Sequence, residues 1–181
     1  LSLSQGARVF LPLCGMTLDI DWLLTNGFQV VGVELSDIAV SQLFSRLAIV
    51  PQVKELGSGL QHLSGVNIDL FVGDIFALSP TIIGPVNAVY DRAALVALPK
   101  NMRHQYSEHL IKITNLAPQL LITYEYDQSL MDGPPFSVTE MEIRKLYQDS
   151  YDLIHLNCVD VPNGMQGKCP AKEHVWQLNI K

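Results

Sequence analysis

Residues 8–35, RVFLPLCGMTLDIDWLLTNGFQVVGVEL, constrain the fold more than any other part of this chain. Val9, Phe10 and Leu11 make a short apolar run, residues 12–15 break it, and Thr17 is placed to cap a helix opening at Leu18. Gly27 stops that helix, and Gln29–Glu34 reads as a second, buried strand. Strand, glycine loop, helix and strand form a βαβ unit, with Glu34 lying 19 residues beyond Gly15. In such a unit the first loop receives a ligand against backbone N–H groups, and a carboxylate at the tip of the neighbouring strand accepts from ribose hydroxyls. The pattern predicts a nucleoside site. The alternative is that Gly15 only makes a tight turn and Glu34 is a solvated strand end.

Two ligand classes use this geometry. A dinucleotide needs G-x-G-x-x-G, because its pyrophosphate must closely approach the backbone and a helix N-terminus. Here residues 12–17 are Pro-Leu-Cys-Gly-Met-Thr, with one glycine where three are wanted. S-adenosylmethionine carries no phosphate, so a single glycine giving room to its methionine and ribose portions is enough.

A length of 181 residues fits a single domain, with no low-complexity linker. The 48% hydrophobic content is ordinary for a soluble α/β protein, and no apolar run approaches the about 18 residues of a membrane span. The net charge of −6 argues against nucleic acid as a partner and against a basic face for phosphates. Cys14, Cys158 and Cys169 have neither disulfide-framework nor zinc-site spacing, so a reducing cytoplasm is expected. His62, His104, His109, His155 and His174 are scattered and read as surface or structural residues, and no metal site is expected. The chain enters its first strand soon after Leu1, so a preceding segment is expected. A monomer is expected too, because no surplus amphipathic helix is visible.

Farther along, Ser36 can cap a helix that buries Val40, Leu43, Phe44 and Leu47 and ends at Pro51. Residues 52–67 are polar and contain glycine, and read as a loop. Strands follow at Ile68–Val72, at residues 86–90 and at residues 120–124, with a helix opening at Asn101 before the last. This alternation predicts a parallel sheet with right-handed crossovers. Thr139 and Glu142 then form a capping box ahead of Ile143, Leu146 and Tyr147. Residues 151–159 and 173–180 read as two strands joined by a turn-rich segment, which makes them antiparallel. Five parallel strands finished by an antiparallel hairpin are what a class I methyltransferase would give, so the expected fold class is α/β, Rossmann-like, with a mostly parallel seven-stranded sheet, an antiparallel C-terminal hairpin and helices on both faces.

Six ordered motifs carry a resemblance. PLCG at residues 12–15, VVGVELS at 30–36, GDIF at 73–76, YDRAALVALP at 90–99, Met102-Arg103 and GPPF at 133–136 together resemble the thiopurine S-methyltransferase family in its bacterial form. The resemblance implies S-adenosylmethionine as cofactor and an aromatic or heterocyclic thiol as acceptor. It implies that Leu13 touches the cofactor through its backbone and that Gly15 gives room there. Glu34 would hold the ribose hydroxyls, Asp74 would accept from the adenine amine, and Ile75 would pack on its ring. Arg92, after the fourth strand, matches the family arginine near cofactor and acceptor; an ion pair with Asp91 or another carboxylate at the sheet edge is the alternative. Pro134, Pro135 and Phe136 match the loop lining the acceptor pocket, or else form a rigid turn. Asp19 could accept a proton on the substrate side, although an acidic residue in a first helical turn also suits the macrodipole. Cys14 reads as an apolar filler.

The chain departs from the family pattern in three places. Met16-Thr17 stands where the family usually has Lys-Ser, no counterpart of the family's N-terminal tryptophan segment is present, and residues 162–172 contain no arginine. The acceptor is therefore open among thiols, selenium or tellurium species, and oxygen or nitrogen acceptors. A nicotinamide oxidoreductase is disfavoured by the single-glycine loop, and a cofactor-binding module without catalysis is the remaining alternative.

Overall fold

Four residues, Arg8–Leu11, form strand β1, and their run of three apolar side chains is buried. The computed structural model describes all 181 residues. Further strands are β2 (Gln29–Glu34), β3 (Gln52–Gly57), β4 (Leu60–Gly65), β5 (Ile68–Val72), β6 (Ala88–Asp91), β7 (Gln119–Tyr126), β8 (Tyr151–Asp160) and β9 (Ala171–Ile180). The helices are α1 (Asp19–Thr25), α2 (Asp37–Arg46), α3 (Pro80–Ile83), α4 (Ala94–Ala97), α5 (Lys100–Ile113) and α6 (Glu140–Tyr147). The sheet order is β3-β4-β5-β2-β1-β6-β7-β9-β8. Nine strands thus replace the seven expected.

The residues group into two compact units. One comprises Ser2–Val89 with Ile113–Asn115, the other Tyr90–Lys112 and Leu116–Lys181 with Leu1. In the first, β1, β2 and β5 are parallel, with Phe10 opposite Val31 and Gly32 opposite Leu70. Phe10, Val30, Val31, Leu43 and Leu70 are buried there without residual exposure. Fully buried parallel strands need such continuous apolar runs.

Three expectations in this unit need correction. Helix α1 begins at Asp19 with Leu18 as an uncapped N-cap; the Thr17 hydroxyl instead accepts from the Asp19 N–H and donates to its carboxylate. Helix α2 is capped by Ser36 as expected but ends at Arg46, because Ala48 adopts φ 54° before Pro51 is reached. Residues 52–67 are no loop: β3 and β4 form an antiparallel hairpin, and β4 pairs with β5. The hairpin turns at Ser58 and Gly59, both with positive φ, the conformation that a two-residue hairpin turn requires. Every residue of β3 is exposed, so it has no apolar alternation to read.

In the second unit, β7, β9 and β8 are antiparallel neighbours, as the C-terminal reading required. The ladder slips between His155 and Asn157, as that of β3 slips between Glu55 and Gly57. Thr139 caps α6 by accepting from the Glu142 N–H. Only half of the capping box forms, because the Glu142 carboxylate is 2.9 Å from Arg103. Residues 162–170 fold into irregular turns whose Met165 and Cys169 pack with Tyr126 and Met131, and β9 starts at Ala171 rather than at residue 173. No helix is long and apolar enough to cross a membrane.

Candidate active site

Within the first unit, β1, β2 and β5 are parallel neighbours, so the segments following them leave at one edge. The segment after β1 holds the glycine loop. Its backbone is tied to β2, since the Cys14 N–H donates to the Val33 carbonyl at 3.0 Å. Leu13 (φ 45°) and Gly15 (φ 52°) are both left-handed, and a Cβ on Gly15 would point into open space. Glu34, half-buried at the tip of β2, accepts from the Gly15 N–H at 2.9 Å and from the Ser36 N–H at 3.0 Å. Sequence spacing put Gly15 and Glu34 in one site, and the structure brings them into direct contact.

Arg46, the last residue of α2, secures the same loop. Its guanidinium donates to the carbonyls of Met16 (2.9 Å) and Thr17 (3.0 Å) and pairs with Asp21 at 2.6 Å. Nothing local in the sequence points to this clamp, because its partners lie 25 to 30 residues away. The backbone of β2 must also come close: a Cβ on Gly32 would lie 2.7 Å from Leu70 and 3.0 Å from the Cys14 sulfur. Cys14 is buried beneath the loop, and burial, aided by the Glu34 charge, pushes its thiol pKa up to about 12. A thiol held protonated in this way packs as a small apolar group.

Gly73, after β5, donates its N–H to the Glu34 carbonyl at 2.9 Å, bringing Asp74 and Ile75 to the same edge. The exposed Asp74 carboxylate accepts from the Phe76 N–H, capping a short 3-10 turn. Ile75 is 5% exposed, so Asp74 is the accessible member of the pair. Asp19 is half-buried and takes a hydrogen bond of 2.9 Å from the Thr17 hydroxyl.

Within the second unit, Arg92 follows β6 and is exposed. Its cation acts on the Tyr124 phenol, whose pKa is raised by burial and then by Glu173; Arg92 opposes that rise. Asp91 turns inward, and its carboxylate accepts from the backbone N–H groups of Ala94 and Leu95 and from the Tyr106 hydroxyl. The sequence reading gave Asp91 no role beyond a possible partner for Arg92.

The Gly-Pro-Pro-Phe loop is held by several elements of this unit. The Tyr126 hydroxyl donates to the Pro135 carbonyl and the Phe136 N–H to the Val96 carbonyl, each at 2.6 Å. The Arg103 guanidinium lies 5.7 Å from the centroid of the Phe136 ring. Arg103 is only 3% exposed and is neutralised by Glu142, while it also donates to the Leu98 and Ser137 carbonyls. A cavity of about 700 Å³ opens here, lined among others by Lys100, Arg103, Tyr126, Phe136 and Met141. Arg103 was visible in the sequence as part of a motif, but its support of Phe136 was not.

The histidines lie outside these groups. His62 pairs with Asp69 at 2.8 Å and stacks on Phe71, and His155 and His174 stack with Trp176. No group of three or more His, Cys, Asp or Glu side chains is placed to hold a metal ion.

Comparisons with known proteins identify the family. The model of the family described as Thiopurine S-methyltransferase (TPMT) matches residues 1–180. A thiopurine S-methyltransferase of Xanthobacter autotrophicus is 54% identical over 178 residues, covering 98% of this chain and 83% of that protein. One from Gluconobacter oxydans is 45% identical over 179 residues, covering 99% and 81%. Among solved structures, the Burkholderia thailandensis 1,6-didemethyltoxoflavin-N1-methyltransferase, which holds S-adenosylhomocysteine, superposes with a TM-score of 0.62 at 14% identity, covering 97% of this chain and 72% of that one. That likeness is one of fold. The chain belongs to the thiopurine S-methyltransferase family and is an S-adenosylmethionine-dependent methyltransferase.

Proposed function

We propose that this protein transfers the methyl group of S-adenosylmethionine to the sulfur of an aromatic or heterocyclic thiol. The thiol acceptor rests on one observation, the match of residues 1–180 to the family with relatives up to 54% identical. The residues at the edge of β1, β2 and β5 fit the cofactor. Gly15 leaves open space beside a half-buried carboxylate, and each Glu34 oxygen accepts one backbone N–H, so lone pairs remain for two hydroxyls. Leu13 and Gly15 offer backbone to the cofactor, Glu34 takes the ribose, and Asp74 accepts from the adenine amine with Ile75 beside it. When bound, the cofactor supplies a methyl carbon made electrophilic by a sulfonium.

On the acceptor side, Pro135 and Phe136 give an apolar wall for a flat ring. Arg92 favours the thiolate over the thiol, since a neighbouring cation stabilises the charged form. Aromatic thiols are acidic enough that no strong base is required, and the proton leaves to solvent. Asp19, already engaged by Thr17, is a secondary acceptor for it. With the cofactor bound, the new carbon–sulfur bond would form as the methyl–sulfonium bond breaks, giving a thioether and S-adenosylhomocysteine. Holding the two sulfurs and the carbon collinear supplies much of the acceleration, since well-oriented pairs gain about 7–11 kcal/mol.

The test is turnover of an aromatic thiol by the parent and by Arg92→Ala. Turnover in the parent and a loss of about 10²-fold in the variant, with thermal stability kept, is expected for a lost charge-stabilising group. Equal turnover would remove Arg92 from the reaction. Methylation of selenium, oxygen or nitrogen acceptors but of no thiol would move the acceptor class.

A further inference from the structure

Asp91 and Arg92 are consecutive, yet their side chains meet opposite environments. Arg92 is exposed, whereas Asp91 has 0% of its surface exposed. Enclosing a carboxylate costs several kcal/mol unless its lone pairs are used, and both Asp91 oxygens are engaged by a total of three donors. One oxygen accepts from the Ala94 N–H at 3.0 Å and the Leu95 N–H at 3.2 Å; the other accepts from the Tyr106 hydroxyl at 2.6 Å. Even so, burial leaves its pKa raised to about 6.

These bonds supply a missing part. Helix α4 has four residues, and its N-cap, Ala93, has no side-chain oxygen to offer. Asp91 provides that oxygen from two positions upstream and so closes residues 91–95 into a fixed turn with Arg92 on its outside. At the other end of α4, the Val96 carbonyl accepts from the Phe136 N–H at 2.6 Å. One short helix therefore anchors both the backbone of Arg92 and the loop of Phe136. Its only side-chain cap in this arrangement comes from Asp91, which Tyr106 of α5 holds in place while Tyr147 of α6 faces it.

We infer that Asp91 is a positioning residue for methyl transfer, fixing through Ala94, Leu95 and Tyr106 the turn that aims Arg92 and the helix that holds the Phe136 loop. The inference rests on the reading of Arg92 and Phe136 as acceptor-side residues.

The experiment measures kcat, acceptor KM, S-adenosylhomocysteine affinity and thermal stability in the parent and in Asp91→Ala, Asp91→Asn, Tyr106→Phe and Arg92→Ala. Asp91→Ala is expected to lower kcat by about 10²-fold, the cost of displacing a positioned group by about 1 Å, with cofactor affinity unchanged. Asp91→Asn keeps an oxygen for Ala94 and Leu95 and is expected to recover most of the turnover. Parental kcat in Asp91→Ala, or Asp91→Asn as slow as a folded Asp91→Ala, would overturn the inference. If Asp91→Ala fails to fold, Tyr106→Phe decides, because it removes one hydrogen bond and keeps the ring: reduced kcat with intact cofactor binding supports the inference, and parental kcat overturns it. Arg92→Ala separates the two levels. Parental turnover there ends the reading of Arg92 and this inference together, while a slow Arg92→Ala beside an unimpaired Asp91→Ala ends the inference alone.

Discussion

Glu34 joins two segments before any ligand is considered, because one oxygen takes the Gly15 N–H and the other the Ser36 N–H. Removing it therefore loosens the glycine loop and deletes the proposed ribose contact in one step. Glu34→Ala is expected to weaken S-adenosylhomocysteine binding by about 1.5–3 kcal/mol, the range for a charged hydrogen-bonding partner. Calorimetric titration reads this directly, and an unchanged dissociation constant would exclude Glu34 from the site. This pair was legible in the sequence because a βαβ unit fixes the distance between loop and strand tip through local chain geometry. Arg46 and Asp91 were not legible as supports. The first reaches carbonyls 29 and 30 residues away, and the second has an aspartate's usual polarity in a setting that only the packed chain reveals.

At the scale of elements, the connection between β7 and α6 shows how backbone and side chain fit one another. Gly133 has φ 82°, and a Cβ there would meet the Phe136 ring at 2.5 Å. Gly133→Ala is expected to cost about 1–2 kcal/mol from the left-handed backbone alone. The ring must then shift, so acceptor KM should rise while cofactor affinity holds; parallel measurement of both checks this. An unchanged KM would mean that Phe136 does not line the acceptor pocket. Elements that bury an apolar face were legible by their periodicity, namely β1, β2, α2 and β5, whereas the β8–β9 hairpin, whose β8 is largely exposed, was readable by the turn residues that join its strands. The β3–β4 hairpin was missed because β3 buries nothing. Its signal was the Gly-Ser-Gly turn at residues 57–59, where all three positions have positive φ.

For the molecule as a whole, Asp91 and His174 are two of the groups that titrate abnormally, and they do so in opposite senses. Burial raises the Asp91 pKa from 3.8 to about 6, so between those values the folded chain binds more protons at this site than the unfolded one. Its contribution to stability is full below the unfolded pKa and is lost as pH rises through about 6. His174 is shifted down, first by burial and next against the pull of Glu125, with His155 and Lys172 lowering it and Glu140 raising it. Its contribution is present above the unfolded value and lost as pH falls. Asp91→Asn removes the first effect alone. Relative to the parent, that variant should gain up to roughly 3 kcal/mol between pH 4 and pH 7, as two pKa units imply. Urea unfolding of both proteins at the two pH values gives the difference, and a gap that does not change with pH would contradict the raised pKa.

Both outermost strands of the sheet, β3 and β8, carry a break in their pairing register, one between Glu55 and Gly57 and the other between His155 and Asn157. A regular outer strand is a template on which a stranger's backbone can grow, and an extra residue spoils the spacing of donors and acceptors that such growth would copy. Exposed Ile154, Leu156 and Val159 on β8 are thus carried on a strand whose irregularity guards against the self-assembly their side chains would otherwise invite.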